Sequence, residues 1–380
     1  MNKLISMNSL GLSIAALQEA IAAKLEELLR GVGWLRGWQV QMASAGSDAG
    51  FDLLASVPLP GGGSAALCVV CKRELRPSLF FAVARRSFQP PGQPTVCIPV
   101  LASPWVSPRM AELCLEAGWS WFDLAGNHRI EVPGLLRLQH SGSPAVHARP
   151  RPAVNLGTPE AGRVIRTLLL PAHAGRRWTQ REVMCLCRPN VSLGLVNKVV
   201  RYLRDEAFLE VGADGGFRLR DPRKLLFVWR DAYRFDRHER RGYFTLLQGN
   251  RQRQALAELG ARSGGFAAYA AFSAAELQAP HVRQPKTWLY VRSRELSLFE
   301  ALVEAKRVDS GENLVVLLPD DEGVFQPDDD GTPDVGRLPA TNAIQTYVDL
   351  CHCGGRGEEA AEALLNQRLN PEWKRRGLNT

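Results

Sequence analysis

Apolar residues recur at helical spacing near the start of the chain, at Leu12, Ile14, Leu17, Ile21, Leu25, Leu28 and Leu29. Intervals of three and four predict one amphipathic helix with its apolar stripe on a core. Four short apolar runs follow, at 38–42, 51–57, 66–71 and 96–101. Turn-rich stretches at 58–63 and 90–94 punctuate them, so each run reads as a strand. A second helix is predicted over 107–117, with Ser107 as N-cap and Pro108 in the first helical position. A further pair of strands flanks Gly126-Asn127 and closes an α/β segment over 1–147.

The stretch 147–157 (HARPRPAVNLG) has the composition of a linker, and its two Arg-Pro steps disfavour helix. Beyond it, Thr158-Pro159-Glu160 opens a helix with Val164, Ile165, Leu168 and Leu169 on one face. Thr179 caps the next helix, and Glu182 three positions later completes a capping box. That helix ends by Cys187, because Arg188-Pro189-Asn190 cannot continue it. Ser192 caps a third, whose core positions are Leu195, Val196, Val199, Val200 and Leu203.

Two helices joined by a tight turn form a helix-turn-helix pattern. Two short strands at 208–211 and 217–220, around the Gly-rich turn 212–216, add a wing. The expected domains are therefore an α/β domain over 1–147, a winged helix-turn-helix over 158–225, and a C-terminal α+β domain over 226–380. In the last, a strand is predicted at 313–318 and a helix at 357–369, separated by the acidic, turn-rich stretch 319–334. The fold class is α/β plus α+β.

Composition narrows the function. At 380 residues there is room for two or three cores, and 45% hydrophobic with 23% charged residues is a globular balance. No apolar run approaches the roughly 20 residues of a membrane helix. Gln18, Glu19, Lys24, Glu26 and Glu27 interrupt the early apolar residues, against a secretory signal. A cytoplasmic location without membrane contact is expected, and the eight cysteines are expected to be reduced.

The net charge is +8, but 149–253 carries 22 Lys plus Arg against 10 Asp plus Glu, so the rest is net −4. A basic surplus confined to one stretch, in which the helix-turn-helix lies, points to double-stranded DNA as the partner. The candidate recognition helix presents Ser192, Leu193, Gly194, Asn197, Lys198 and Arg201, where Asn suits an adenine edge and Arg or Lys a guanine or phosphate. Thr179, Gln180 and Arg181 join them from the preceding helix, and Arg218 and Arg220 from the solvent face of the wing. The Arg-rich stretch 234–241 either extends this footprint or forms a solvated helix face. A winged helix also docks proteins, which leaves an adaptor as an alternative.

The order of elements in 12–140 resembles the restriction-endonuclease-like fold, whose members place an Asp on one strand and Glu-x-Lys on the next to hold a divalent ion. Asp52 and Lys72 match two of these places. Val70 stands at the Glu place and cannot ligate a metal, while Glu74 lies beyond the lysine. An inactive scaffold is therefore expected: no catalytic residue, no metal and no cofactor. A metal-dependent nuclease using Asp52, Lys72 and Glu74 is the alternative. Asp123 and Asn127 are read as a turn that satisfies its own backbone. Cys351-His352-Cys353 is too compressed for a zinc site by itself.

Taken together, the helix-turn-helix 179–204, the segment 343–350 (AIQTYVDL) and Arg356-Gly357-Glu358-Glu359-Ala360-Ala361 resemble the AbiEi-like antitoxins of type IV toxin–antitoxin systems. The resemblance covers about the last 220 residues. It implies a transcriptional regulator that represses its own operon and opposes a nucleotidyltransferase-like toxin. A homodimer is compatible with it. The layout departs from ordinary members in setting the winged helix centrally, behind a large α/β domain.

Overall fold

The computed structural model describes residues 13–43, 49–73, 75–92, 94–144, 154–328 and 337–378. Leu12, Glu74, most of the 147–157 linker and the end of the acidic stretch lie outside the described residues. The chain divides into two units, 1–151 and 152–380.

In the first unit, Ser13 Oγ accepts from the Ala16 amide at 3.1 Å and starts α1, Ile14–Arg30. Its stripe Leu17, Ile21, Leu25 and Leu29 is buried, as the spacing requires. The elements β1 (Gln39–Met42), β2 (Leu53–Pro58), β3 (Ser64–Cys71), α2 (Pro77–Ala84), β4 (Val96–Ser103), α3 (Pro108–Glu116), β5 (Ser120–Asp123), β6 (His128–Val132) and β7 (Leu136–His140) follow. The seven strands lie in chain order in one sheet. Only β3–β4 and β4–β5 are parallel. These are the pairs joined through α2 and α3, since parallel neighbours need a crossover.

Alternation sorts the side chains. Leu53, Ala55, Val57, Leu67, Val69 and Cys71 share a core with α1. Leu54, Ala66 and Cys68 cluster separately with Phe51. With both faces covered, β3 reads as an unbroken apolar run. Two elements escaped the sequence reading. α2 (PSLFFAVA) is short and apolar nearly all round, which removes the periodic signal. β7 (LRLQH) has no fully buried residue.

The second unit begins with α4 (Pro159–Leu169), α5 (Gln180–Leu186), α6 (Leu193–Asp205), the hairpin β8 (Leu209–Val211) and β9 (Phe217–Leu219), and α7 (Pro222–Ala232). Then come β10 (Glu239–Phe244), α8 (Gly249–Arg262), β11 (Ala267–Tyr269), α9 (Ala271–Gln278), β12 (Thr287–Val291), α10 (Leu296–Leu302), β13 (Lys306–Arg307) and β14 (Leu314–Leu318). Helices α11 (Ala343–His352), α12 (Gly357–Leu364) and α13 (Asn370–Arg375) finish it.

The five strands β10 to β14 form a sheet in the order β11-β12-β14-β10-β13, parallel only at β12–β14. On one face Leu289, Val291, Leu314 and Val316 pack with Leu256 and Leu259 of α8 and Phe299 of α10. On the other, Trp288, Tyr290, Val315 and Leu317 join a core that includes residues of α4 to α7 and runs on to Leu378. The boundary expected at 225/226 therefore crosses a continuous core. Trp373 of α13 is fully buried, and its indole N–H donates to the Leu169 carbonyl at 3.0 Å.

The strand expected at 313–318 is β14, and the helix at 357–369 is α12 with a π-helical turn, Leu365–Leu369. Of the two readings of 234–241, the solvated helix face does not hold. A 3-10 turn, Phe235–Arg237, leads directly into β10 (ERRGYF). Its charged residues and glycine conceal a strand that gains its place from sheet partners on both sides.

Candidate nucleic-acid interface

Three helices and a hairpin build the basic surface. The capping box is formed: Thr179 Oγ1 accepts from the Glu182 amide at 3.3 Å, and Glu182 Oε2 accepts from the Thr179 amide at 2.7 Å. The bonds from Thr179 and from Arg176 hold the Glu182 carboxyl below its usual range. Ser192 Oγ accepts from the Leu195 amide at 3.2 Å and starts α6. Val196, Val199, Val200 and Leu203 are buried. The opposite face leaves Leu193, Gly194, Lys198 and Arg201 exposed and Asn197 half-buried.

Gln180 Nε2 donates to Asn197 Oδ1 at 3.4 Å, so the start of α5 lies beside the middle of α6. That bond leaves the Asn197 amide N–H₂ available for another acceptor. Arg181, Lys198 and Arg201 have no ion-pair partner among the described residues, and all three are exposed. Arg204, one turn on, is instead paired with Asp205 at 3.2 Å.

The hairpin differs from expectation in its electrostatics. Arg218 is exposed and Arg220 half-buried, but Glu210 stands opposite Arg218 in the register and holds both, at 2.6 and 3.4 Å. Arg177 pairs in the same way with Asp214 of the turn. The alternation of Arg with apolar residues was legible in the sequence, whereas cross-strand pairing was not. Replacing Glu210 with Gln should free the arginines. We expect DNA affinity to rise about three- to tenfold at low salt and the salt slope to steepen by about one unit. A fluorescence-anisotropy titration at several salt concentrations reads both, and an unchanged slope would mean the hairpin does not meet phosphates.

Trp178, just before the Thr179 cap, is 1% exposed. Its amide donates to the Phe217 carbonyl at 2.7 Å, and the Phe217 amide returns to the Trp178 carbonyl at 2.9 Å. This bridge fixes the hairpin against the start of α5.

In the first unit both oxygens of Asp52 are already engaged. Oδ1 accepts from Gln18 Nε2 of α1 at 3.1 Å and Oδ2 from the Cys71 amide of β3 at 2.7 Å. Val70 is fully buried, Lys72 follows β3 directly, and Glu74 lies outside the described residues. The carboxylate ties helix to sheet, so Asp52→Ala should destabilise this unit by about 1–3 kcal/mol, by leaving the Cys71 amide unmet. Calorimetry checks this. With magnesium or manganese we expect no cleavage of single- or double-stranded DNA, and cleavage abolished by the same substitution would reverse the reading.

Asp123 and Asn127 are spent locally. Asp123 accepts from the Val106 and Asn127 amides at 3.1 and 2.9 Å, and Asn127 Oδ1 accepts from the Ser143 amide at 2.8 Å. His352 Nε2 lies 2.9 Å from the Arg230 carbonyl. Among the described residues no group of three or more His, Cys, Asp or Glu stands at metal-holding distance.

The segment 343–350 is α11, and it carries a buried polar network. Gln345 Oε1 accepts from Arg166 Nε and Nη2 at 3.1 and 2.7 Å. Gln345 Nε2 lies 2.8 Å from both Tyr233 Oη and Asp349 Oδ1. Asp349 Oδ1 accepts further from the hydroxyls of Tyr233 and Tyr290 at 3.0 and 3.1 Å. Tyr233 has one proton and gives it to Asp349, so the His238 Nε2 at 2.7 Å is the donor to Tyr233 Oη. His238 Nδ1 accepts from the Asp320 amide at 3.1 Å, which makes this imidazole neutral. Burial pushes Asp349 up to about 7 against the pull of these donors and of Arg166. Burial, with the Arg166 charge, brings His238 down to about 4. The network joins α11 to α4 and α7.

Residues 218–370 match the family model AbiEi_2, described as "Transcriptional regulator, AbiEi antitoxin, Type IV TA system". The match contains α11 with Tyr233, His238 and Tyr290 of its network but not Arg166, and it begins in β9, beyond α4 to α6. No curated protein and no solved structure matches the chain. No helix among the described residues is long and apolar enough to cross a membrane.

Proposed function

We propose that the chain is a sequence-specific, double-stranded-DNA-binding transcriptional regulator of the AbiEi antitoxin kind, and that α4 to α6 with the β8–β9 hairpin act as its winged helix-turn-helix. One observation carries this reading. Arg181 of α5 and Lys198 and Arg201 of α6 stay unpaired among the described residues, while the neighbouring Arg176, Arg177, Arg204 and Arg218 are paired internally. Internal carboxylates leave these cations free on two helices, one of them capped by Ser192, which suits a groove flanked by phosphates. The family match on 218–370 independently supports a transcriptional regulator.

In this role α6 enters the major groove, with Asn197 and Arg201 one turn apart on the same face. Thr179, Gln180 and Arg181 meet the backbone at the start of α5, and Arg218 and Arg220 meet it after exchanging Glu210 for phosphate. The first unit serves as a nuclease-like scaffold without cleavage activity. The protein partner implied by the family is a nucleotidyltransferase-like toxin.

The test is a mobility shift against DNA upstream of the protein's own gene, with random duplex as control, at 50 and 200 mM salt. If about six to ten phosphates are met, affinity should fall roughly 10³- to 10⁵-fold between those concentrations. Absence of any shift, or a salt-independent one, would overturn DNA binding and favour a protein-docking adaptor.

A further inference from the structure

Leu193 is the first residue of α6 and is 40% exposed. Single exposed leucines are common on protein surfaces, so its surroundings decide what it does. The exposed residues of α6 are Leu193, Gly194, Lys198, Arg201 and Arg204, and Leu193 is the one large apolar side chain among them. Nothing in the fold calls for leucine at this place. Ser192 caps the helix through the Leu195 amide, and Val196, Val199, Val200 and Leu203 fill its core face. Leu195, two residues on, packs partly buried against that core.

Gly194 is a second, independent observation. A Cβ placed there would meet nothing within 4 Å, so no neighbour demands a glycine. Glycine inside a helix weakens it, and what it offers in return is close approach of the backbone to another surface. The apolar tip of Leu193 therefore stands beside the slimmest part of α6. Leu193, Asn197 and Arg201 follow one another at intervals of four, which sets them along one side of the helix. Asn197 and Arg201 suit polar base edges. Leucine can bond neither to those edges nor to phosphate, and in the major groove the apolar group it can cover is the thymine C5-methyl.

We propose that Leu193 packs on a thymine methyl group and so makes thymine itself a determinant of the operator. This rests on α6 being the recognition helix. The spacing also fixes where the thymine stands. Leu193 and Asn197 are one turn apart, about 6 Å along the axis. That is under two base-pair steps of about 3.4 Å each. The thymine lies within about two base pairs of the base read by Asn197.

The experiment is a fluorescence-anisotropy titration of the full chain on DNA upstream of its own gene, with either thymine or uracil throughout. The exchange replaces each methyl by hydrogen and keeps every polar base edge. A random duplex in both forms corrects for any effect of the exchange on helix shape. After that correction the wild type should bind the thymine form about three- to tenfold more tightly for each methyl it covers. Leu193→Ala should bind both forms alike, with Tm within about 2 °C of the wild type because the side chain is exposed. Single thymine-to-uracil exchanges should place the loss within about two base pairs of the base at which Asn197→Ala loses its preference. Equal binding of both forms by the wild type would overturn the proposal and leave α6 as the recognition helix. A preference that persists in Leu193→Ala would assign the methyl to another side chain, and a sensitive thymine farther away would break the geometry; either overturns the proposal. Absence of binding to every duplex would overturn it together with the reading it rests on.

Discussion

A Lys198→Ala, Arg201→Ala double variant should bind its operator roughly 30-fold to 10⁴-fold more weakly than the wild type. The range follows from about 1–3 kcal/mol for each good contact to a base edge, with the two taken as independent. They lie three apart on α6 and share one face, so the measured loss can depart from the simple sum. Both side chains are exposed, and their removal touches none of the buried positions Val196, Val199, Val200 or Leu203. Stability should therefore stay within about 0.5 kcal/mol of wild type. The control is Arg204→Ala, since Arg204 is an equally exposed arginine on the same helix but is engaged by Asp205. It should change affinity little. Asn197→Ala should separate reading from gripping, with a loss of about 1–3 kcal/mol on the operator and little on random duplex. Titration of each variant on both duplexes decides the matter. If the double variant binds like the wild type, α6 is not the recognition element.

The second large effect is a pair of opposed pH dependences hidden in one network. Asp349 is raised by burial to about 7 from an ordinary 3.8. Its proton stays on in the folded state after the unfolded chain has released it. The stabilisation is complete below pH 4 and is lost as pH rises towards 7, a fall of about 4 kcal/mol. His238 behaves in the opposite sense, being lowered to about 4 from 6.5. The unfolded chain takes up its proton first as pH falls, so stability is present above 6.5 and about 3 kcal/mol is lost by pH 4. Between about pH 4.5 and 6.5 the two slopes largely cancel. The groups facing Asp349 are Arg166, Tyr233, Tyr290, Gln345 and Cys353, and those facing His238 are Arg166, Asp236, Asp321 and Tyr233.

Single substitutions should unmask each slope. Asp349→Asn keeps an acceptor for the tyrosines, and stability should then rise with pH across this window. His238→Gln removes the other titration, and stability should then fall. Chemical denaturation at four or five pH values reads the slopes. Two variants that keep the wild-type profile would show that neither group titrates differently on folding.

The polypeptide's own pattern was enough to foresee the elements built from local signals. Ser107, Thr158, Thr179 and Ser192 are caps recognisable from residue type and spacing, and each accepts the expected amide. The stripe of α1, the apolar runs of β2 to β4 and the hairpin around the turn at 212–216 were equally legible, because periodicity reports which face is covered. So was the set of basic residues on α6. Their partners were not legible. Whether an arginine is free depends on residues brought opposite it: Glu210 lies across a hairpin from Arg218, and Asp321 is 158 positions from Arg163. Strand β10 was hidden among charges because its neighbours β14 and β13 come from much later in the chain. The network of α11 was invisible for the same reason. Gln345 and Asp349 look like ordinary polar positions in a helix, and only packing against α4, α7 and β12 makes them buried, bonded and shifted. Local rules act through the backbone over a few residues, so the sequence alone set caps, periods and the sign of the surface charge. Burial, pairing and cavities are properties of what meets across the core, and those the tertiary structure decided.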